Sequence, residues 1–165
     1  MLGVIQNVEA NASGSPVCDV LDGYGNITAG HGSNTFNDNS GSYQLTADVD
    51  TYNPFEHVEI TLDGAEFNGL LFTVVDEQGV KVGSFSPGNQ VTGCGFDTMA
   101  VTHTSADTTT SETMFWIPPA DSVGTVYVLG YVYDSNGSSF YRFVKSDNSA
   151  LELTESDVIF LNGFE

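Results

Sequence analysis

Basic residues are almost absent from this chain of 165 residues, which has 3 Lys+Arg against 22 Asp+Glu and a formal net charge of −19 at pH 7. The three cations are Lys81, Arg142 and Lys145. Proteins bind the phosphates of nucleic acids, and the headgroups of anionic lipids, through clusters of Lys and Arg. The composition therefore excludes nucleic-acid binding, and it excludes charge-driven attraction to anionic membranes or sulfated polysaccharides.

Long apolar runs are also absent. No run approaches the roughly 20 residues that a membrane-spanning helix needs, so we expect no membrane insertion. The strong negative charge repels itself at low salt, and dissolved salt or bound cations would relieve that repulsion. Together with many Gly, Thr, Ser and Asn residues, this indicates an exported β-protein in a salt-rich extracellular setting.

Cysteine is scarce. Cys18 and Cys94 lie far apart, form no CxxC pair and have no histidine cluster nearby, so a zinc site is not expected. In an oxidising compartment the two would pair and close a loop of about 76 residues, which the chain-entropy relation values at about 4.5 kcal/mol. The alternative is two unrelated buried thiols.

Helical periodicity is missing as well, and the recurring pattern is alternation of apolar and polar residues over short stretches. The predicted strands include 42–48, 57–62, 69–75, 80–85, 113–117, 124–133 and 140–144. We expect 69–75 to be central and covered on both faces, and the turn Asp76-Gly79 to join it to 80–85 in a hairpin. The prediction is an all-β, antiparallel β-sandwich.

A single domain is predicted over residues 1–165, with a core at about 12–146. The Gly- and Asn-rich first forty residues are expected to wrap the sandwich as an ordered loop pinned by Cys18. Residues 147–165 are expected to form a C-terminal strand or tail.

Short motifs through most of the chain resemble one known family. In chain order they are Ser13-Gly14 before Cys18, Gly30-His31-Gly32, Ser42-Tyr43-Gln44-Leu45, Tyr52-Asn53-Pro54, Val58-Glu59-Ile60-Thr61-Leu62, Phe67-Asn68-Gly69-Leu70-Leu71, Val82-Gly83-Ser84-Phe85, Cys94, Val101-Thr102-His103-Thr104, Phe115-Trp116-Ile117-Pro118-Pro119 and Gly124-Thr125-Val126. This series resembles the reeler domain of reelin and F-spondin.

The resemblance implies an immunoglobulin-like β-sandwich, an extracellular setting and a Cys18–Cys94 disulfide. It also implies a role in adhesion, matrix binding or recognition of microbial surfaces. Two features depart from the family: Phe55 stands where a Gly usually follows the Pro, and the basic surface that would support heparin binding is absent. Residues 156–165 resemble the closing segment of exported bacterial proteins, which suggests a bacterial exported member.

Catalytic chemistry has few candidates. The histidines are His31, His57 and His103, and the motifs of serine hydrolases and zinc proteases are absent. His103 alternates with Val101 on a core-facing strand and His31 sits between two glycines, so we expect hydrogen-bonded structural histidines. The alternative is a metal-dependent enzyme in which His31 and His103 converge on copper or zinc. We expect no enzymatic activity.

Calcium is the one cofactor with candidate ligands, because it takes oxygen ligands from clustered acids. Asp38 lies in the polar run before Gly41, and Asp48 and Asp50 lie on one side of an extended segment, roughly 7 Å apart. The alternative is a solvated acidic surface.

Tyr127, Tyr131 and Tyr133 share one face of the longest predicted strand. If exposed, this row could stack on sugar rings or on a partner protein; if both faces are covered, the row is packing.

From these observations we expect a secreted, non-enzymatic module for recognition or adhesion that binds an extracellular protein or a glycan. The alternative is a structural subunit that self-assembles into an extracellular matrix or filament by strand addition.

Overall fold

A computed structural model describes residues 14, 15, 18, 20, 35–88, 91–94, 97–136 and 139–156. In these residues the regular elements are eleven strands and one turn of 3-10 helix at Lys145–Asp147. The strands are β1 (Thr35–Asn37), β2 (Gln44–Ala47), β3 (Thr51–Tyr52), β4 (Val58–Asp76), β5 (Ser84–Ser86), β6 (Val91–Cys94), β7 (Asp97–His103), β8 (Thr109–Ile117), β9 (Val126–Asp134), β10 (Ser139–Phe143) and β11 (Leu151–Glu155). The predicted all-β class is confirmed. No helix in the described part has the length and apolar character to cross a membrane.

The long strand β4 organises the sheet because its two halves have different neighbours. Its first half pairs with β2 and β8, and its second half pairs with β9 and β7, all antiparallel. The pairing with β8 shifts register between Asp63 and Phe67, which marks the change from one set of neighbours to the other. The prediction divided β4 into two strands, 57–62 and 69–75. The structure instead continues the strand through this irregularity.

The sheet is mostly antiparallel, and its main path runs β1-β10-β9-β4-β7-β6. The exceptions are two parallel pairs, β1 with β10 and β3 with β11. Strand β1 lies within the first forty residues, which were predicted to be loop; Phe36 of β1 stacks on Phe140 of β10 at 5.2 Å between ring centroids. Part of the predicted C-terminal segment forms β11, while 157–165 lies outside the described residues.

Apolar side chains pack on both faces of the β4–β9 pair. As predicted, 69–75 is buried throughout. The larger cluster contains Phe72, Val74, Trp116, Val128 and Val132, among others. A second cluster on the opposite face contains Val20, Leu71, Cys94, Ala100, Tyr131, Tyr133 and Phe140. Alternation along β9 therefore supplies two cores from one strand.

Gly130 permits this close pairing. A Cβ atom at Gly130 would lie 2.2 Å from Phe72 Cδ1 and 2.4 Å from the Leu71 carbonyl oxygen. Both distances are far inside van der Waals contact, so the pair requires glycine at this position.

The predicted hairpin after β4 is only partly formed. The turn exists, because one carboxylate oxygen of Asp76 accepts hydrogen bonds from the amides of Gln78 (2.9 Å) and Val80 (2.8 Å). After the single bridge between Val75 and Lys81, however, the chain leaves β4. Gly83 adopts a left-handed conformation (φ 69°), and β5 then pairs with β8 instead.

Glu155, at the end of β11, fastens this strand to the segment that leads into β9. One of its carboxylate oxygens accepts hydrogen bonds from Ser122 Oγ (2.7 Å) and from the amides of Val123 and Gly124 (3.0 Å each). Partial burial raises the pKa of Glu155, but the hydrogen bonds from Gly124, Ser122 and Val123 outweigh it, so the pKa falls below its ordinary value of 4.5.

We expect Glu155→Gln to lower the free energy of unfolding at pH 7 by about 1 kcal/mol, because three donors lose a charged acceptor. A depressed pKa gives stability that is present above pH 4.5 and lost as the pH falls through the native-state pKa. The difference in free energy of unfolding between wild type and variant should therefore disappear in acid. Urea unfolding from pH 7 to pH 2 measures it, and a gap that stayed constant would contradict the role of the charge.

Candidate functional site

A disulfide joins Cys18 to Cys94, with the two Cα atoms 5.4 Å apart. It ties the N-terminal segment to β6, at the end of the main sheet path. Nearby, the Ser15 amide donates to Thr102 Oγ1 (2.8 Å), and Lys81 Nζ donates to the Cys18 carbonyl oxygen (3.3 Å). The disulfide implied by the resemblance is present, and the alternative of two unrelated thiols is wrong.

The tyrosine row is not an exposed binding surface, because two of its three members are buried. Tyr131 and Tyr133 are 2% and 3% exposed, because they lie in the second cluster with Val20 and Cys94. Only Tyr127 is half-buried, and Lys145 Nζ lies 3.8 Å from the centre of its ring. The structure therefore supports the interpretation in which the tyrosine row is part of the packing.

The carboxylates of two of the three calcium candidates have other partners. Asp38 forms an ion pair with Arg142 (3.2 Å), and Asp48 Oδ1 accepts a hydrogen bond from the Glu59 amide (2.9 Å). Asp50 is exposed, and its carbonyl oxygen accepts from the Thr154 amide. Among the described residues no three His, Cys, Asp or Glu side chains are placed to hold a metal ion.

The two histidines in the described part of the chain differ in burial. His57 is exposed, and His31 lies outside the described residues. His103 is half-buried, and its Nδ1 accepts a hydrogen bond from the Leu70 amide (3.1 Å). Beside it is a cavity of about 10 Å³, enough for about one water molecule. This arrangement fits the predicted structural role.

The largest cleft of those described, about 300 Å³, opens where β4 changes neighbours. Its lining residues come from four separate parts of the chain: Ser42, Tyr43, Ala65, Glu66, Asp134, Ser135, Asn136 and Tyr141. The rings of Tyr43 and Tyr141 meet edge-to-face at 5.1 Å between centroids. The cleft therefore combines two aromatic rings with two carboxylates and an amide.

Hydrogen bonds fix the walls of this cleft. The Glu66 carbonyl oxygen accepts from the Tyr43 hydroxyl (3.2 Å) and from the Ser135 amide (3.0 Å). Asp134 is 8% exposed and accepts from the Ser139 amide at 3.2 Å. Burial raises the pKa of Tyr43 to about 12, helped by the nearby charge of Asp134 and by Tyr141, so this hydroxyl stays neutral.

Sequence reasoning missed this cleft because its residues are distant in the chain. Ser42 and Tyr43 belong to a motif of the family, and residues 134–136 lie between the predicted strands 124–133 and 140–144, but neither signal indicates a binding site. The irregularity in β4 that brings Glu66 beside Asp134 has no marker beyond the polar residues 63–66.

A second feature is the segment 48–59, which closes on itself and is called here the 48–59 loop. Its ends are joined by two hydrogen bonds, from the Asp48 amide to the Glu59 carbonyl oxygen (3.0 Å) and from the Glu59 amide to Asp48 Oδ1 (2.9 Å). Within it, the Glu56 amide donates to the Asn53 carbonyl oxygen and closes a turn. Phe55 occupies the third position of that turn with φ 64° and is 69% exposed.

Residues 25–157 match the sequence profile described as the Reeler domain. The chain belongs to the reeler domain family. The resemblance inferred from its motifs is thereby confirmed.

Solved reeler structures share the fold. A crystal structure of the human F-spondin reeler domain is 19% identical, has a TM-score of 0.63, and matches over 76% of this chain and 96% of that chain. A structure of the Reelin-N domain of F-spondin gives 20% identity, a TM-score of 0.63, and coverage of 76% and 94%. At these identities the likeness establishes the fold.

One curated relative is the Xenopus laevis protein named "Putative ferric-chelate reductase 1", which is 29% identical over 100 residues. The match covers 56% of this chain and 17% of that protein. The reeler chain therefore spans only a small part of this relative's length.

We expect loss of the disulfide to destabilise the protein by about 2–5 kcal/mol, because Cys18 and Cys94 close a long loop and hold the cover over the second cluster. Urea unfolding of the Cys18→Ser/Cys94→Ser double variant, beside wild type with and without reductant, measures the loss. Reductant should leave the double variant unchanged. Equal unfolding midpoints for wild type and the double variant would contradict this role.

We expect Phe55→Gly to raise the free energy of unfolding by about 1 kcal/mol, because a left-handed residue with a Cβ atom is strained and glycine is not. Phe55→Ala is the matched control, since it removes the ring but keeps the Cβ atom and the strain. Thermal and urea unfolding should rank the glycine variant above both others. If glycine and alanine variants were equally stable, the strain would be absent.

Proposed function

We propose that this reeler domain is a non-enzymatic extracellular recognition module that binds neutral glycans in the cleft beside Tyr43 and Tyr141. The observation that carries the proposal is the composition of the cleft. Aromatic rings stack against the apolar faces of sugars, and the half-buried Tyr141 offers such a ring. Tyr43 is 4% exposed and packs edge-to-face against Tyr141. The exposed Glu66 and Asn136 can form hydrogen bonds with the sugar hydroxyls. A volume of about 300 Å³ is at the lower end of the range for small-ligand sites.

The charge of the site selects among glycans. Glu66 and Asp134 line the cleft, and no Lys or Arg is among its lining residues. Arg142, on β10, pairs with Asp38. The acidic lining and the net charge of −19 both disfavour the binding of sulfated or sialylated glycans and favour the binding of neutral ones.

Several observations support an extracellular location. A disulfide persists in oxidising compartments and is rare in the cytosol. Family membership and the F-spondin structures agree with this setting. The resemblance of residues 156–165 to closing segments of exported bacterial proteins supports export from a bacterium.

The absence of catalysis belongs to this proposal. The lining of the cleft contains no histidine to act as a base for Ser42 or Ser135, and no cysteine to act as a nucleophile. Of its two carboxylates, Asp134 is 8% exposed and already accepts a hydrogen bond from the Ser139 amide. The Xenopus relative is named a reductase, but the match spans 17% of that protein, so its activity is not transferred to this chain.

The rival function, assembly into a matrix or filament by strand addition, has less support. The ends of the main sheet path are β1 and β6, with three and four residues. Strands this short offer few free hydrogen-bonding groups to another chain.

A glycan array of neutral and acidic glycans, probed with the disulfide-bonded protein, tests the proposal. We expect binding to neutral glycans, weakened about tenfold or more by Tyr141→Leu, because the ring supplies the stacking surface. Tyr127→Leu, a half-buried tyrosine away from the cleft, is the matched control and should bind as wild type. No binding by the wild type, or equal binding by the Tyr141 variant, would contradict the proposal.

A further inference from the structure

Phe55 is the most exposed large apolar side chain in the described part of the chain, at 69%. It also has a left-handed backbone conformation, at the third position of a turn where glycine is the favoured residue. Strain of this kind persists where the surrounding structure imposes it, and it is concentrated at functional sites. The chain thus gives up stability and apolar burial at the same residue.

The surrounding structure holds this turn firmly. Asn53 Nδ2 donates to Glu56 Oε2 (2.7 Å), and Ser156 Oγ donates to Asn53 Oδ1. Beneath the turn, the buried Tyr52 packs against Trp116 and its hydroxyl donates to the Gly124 carbonyl oxygen (2.6 Å). Phe55 is therefore presented on a preorganised support, which lowers the entropy lost when a partner binds.

The rest of the 48–59 loop defines the chemistry of that partner. It carries a second exposed apolar residue, Val49, at 38%. It also carries four acids, Asp48, Asp50, Glu56 and Glu59, all exposed, and no Lys or Arg. An exposed apolar anchor on a loop that also carries exposed carboxylates is complementary to an apolar face bordered by Lys and Arg.

We propose that the 48–59 loop is a protein-docking surface in which Phe55 is the anchor, and that its partner is a basic amphipathic protein segment, with an apolar face bordered by Lys and Arg. A second copy of this chain also carries a charge of −19, so the two would repel. Insertion into a membrane would bring four carboxylates to the lipid surface, which opposes it.

This surface is separate from the glycan cleft. Glu59, at the end of the loop, and Glu66, in the cleft, are seven residues apart along β4, or about 23 Å by strand rise. The inference goes beyond the proposed function and does not depend on it, because glycan binding and loop binding are measured with different ligands.

The test uses a synthetic amphipathic peptide of Leu and Lys as the probe, titrated into the disulfide-bonded chain at physiological salt. Calorimetry measures affinity, and amide NMR spectra locate the contact. We expect binding that shifts the amides of 48–59 and is weakened about tenfold or more in both Phe55→Gly and Phe55→Ala. Phe55→Trp should retain it. Because the glycine variant is expected to be more stable than wild type, its loss of binding would not reflect unfolding.

Controls separate the anchor from general charge attraction. Val80→Ala removes another exposed apolar side chain (59%) in a different turn and should bind as wild type. No peptide binding by the wild type, or equal affinity in the Phe55 variants and wild type, would overturn the proposal. If binding to phosphatidylcholine vesicles depended on Phe55, the occupant would be a membrane and the proposal would be wrong. If ultracentrifugation showed a dimer that depended on Phe55, the occupant would be a second copy, and the proposal would again be wrong.

Discussion

The structure depends on the pairing of β4 with β9, because this pair is buried on both faces. Residues Gly69 to Asp76 pair with nine-residue β9, and each strand sends alternate side chains to opposite clusters. The close approach at Gly130 holds the pair together. A strand pair buried in this way needs a cover on each side. On one face, residues of β8 such as Met114 and Trp116 complete the larger cluster. On the other, Val20 and the disulfide-bonded Cys18 pack in the second cluster.

That arrangement leaves little apolar surface for binding on the faces of the sheet. The exposed chemistry lies instead where strands turn or end, in the cleft at the irregularity of β4 and in the 48–59 loop at its beginning. Both places are acidic, which fits a chain with 22 Asp+Glu. Ligand choice should therefore follow charge: neutral sugars in the cleft and basic protein at the loop.

Local sequence patterns predicted which residues form strands, but not which other parts of the chain cover them. Alternation predicted a strand at 57–62, and its apolar residues Val58, Ile60 and Leu62 are all buried. The tyrosine row was ambiguous because exposure of a strand face depends on what covers it, and the covering residue Val20 lies far away in sequence. The hairpin after Asp76 was only half right, since Gly83 redirects the chain toward β8.

The candidate sites were still harder to predict from the sequence. Glu66, Asp134 and Tyr141 belong to β4, β9 and β10, and only the register of these strands brings the three residues together. Phe55 did carry a signal, as an aromatic residue where the family usually has glycine. Its significance required the backbone conformation and exposure, which the sequence does not contain.

Amide hydrogen exchange, followed residue by residue before and after reduction of the disulfide, tests the central claim most directly. The account predicts that reduction lowers protection at Ala100, Tyr131 and Tyr133, whose side chains face the second cluster, more than at Ile60 and Met114 in the larger core. An equal loss of protection at all five amides on reduction would show that the disulfide does not stabilise the second cluster, and would contradict the account.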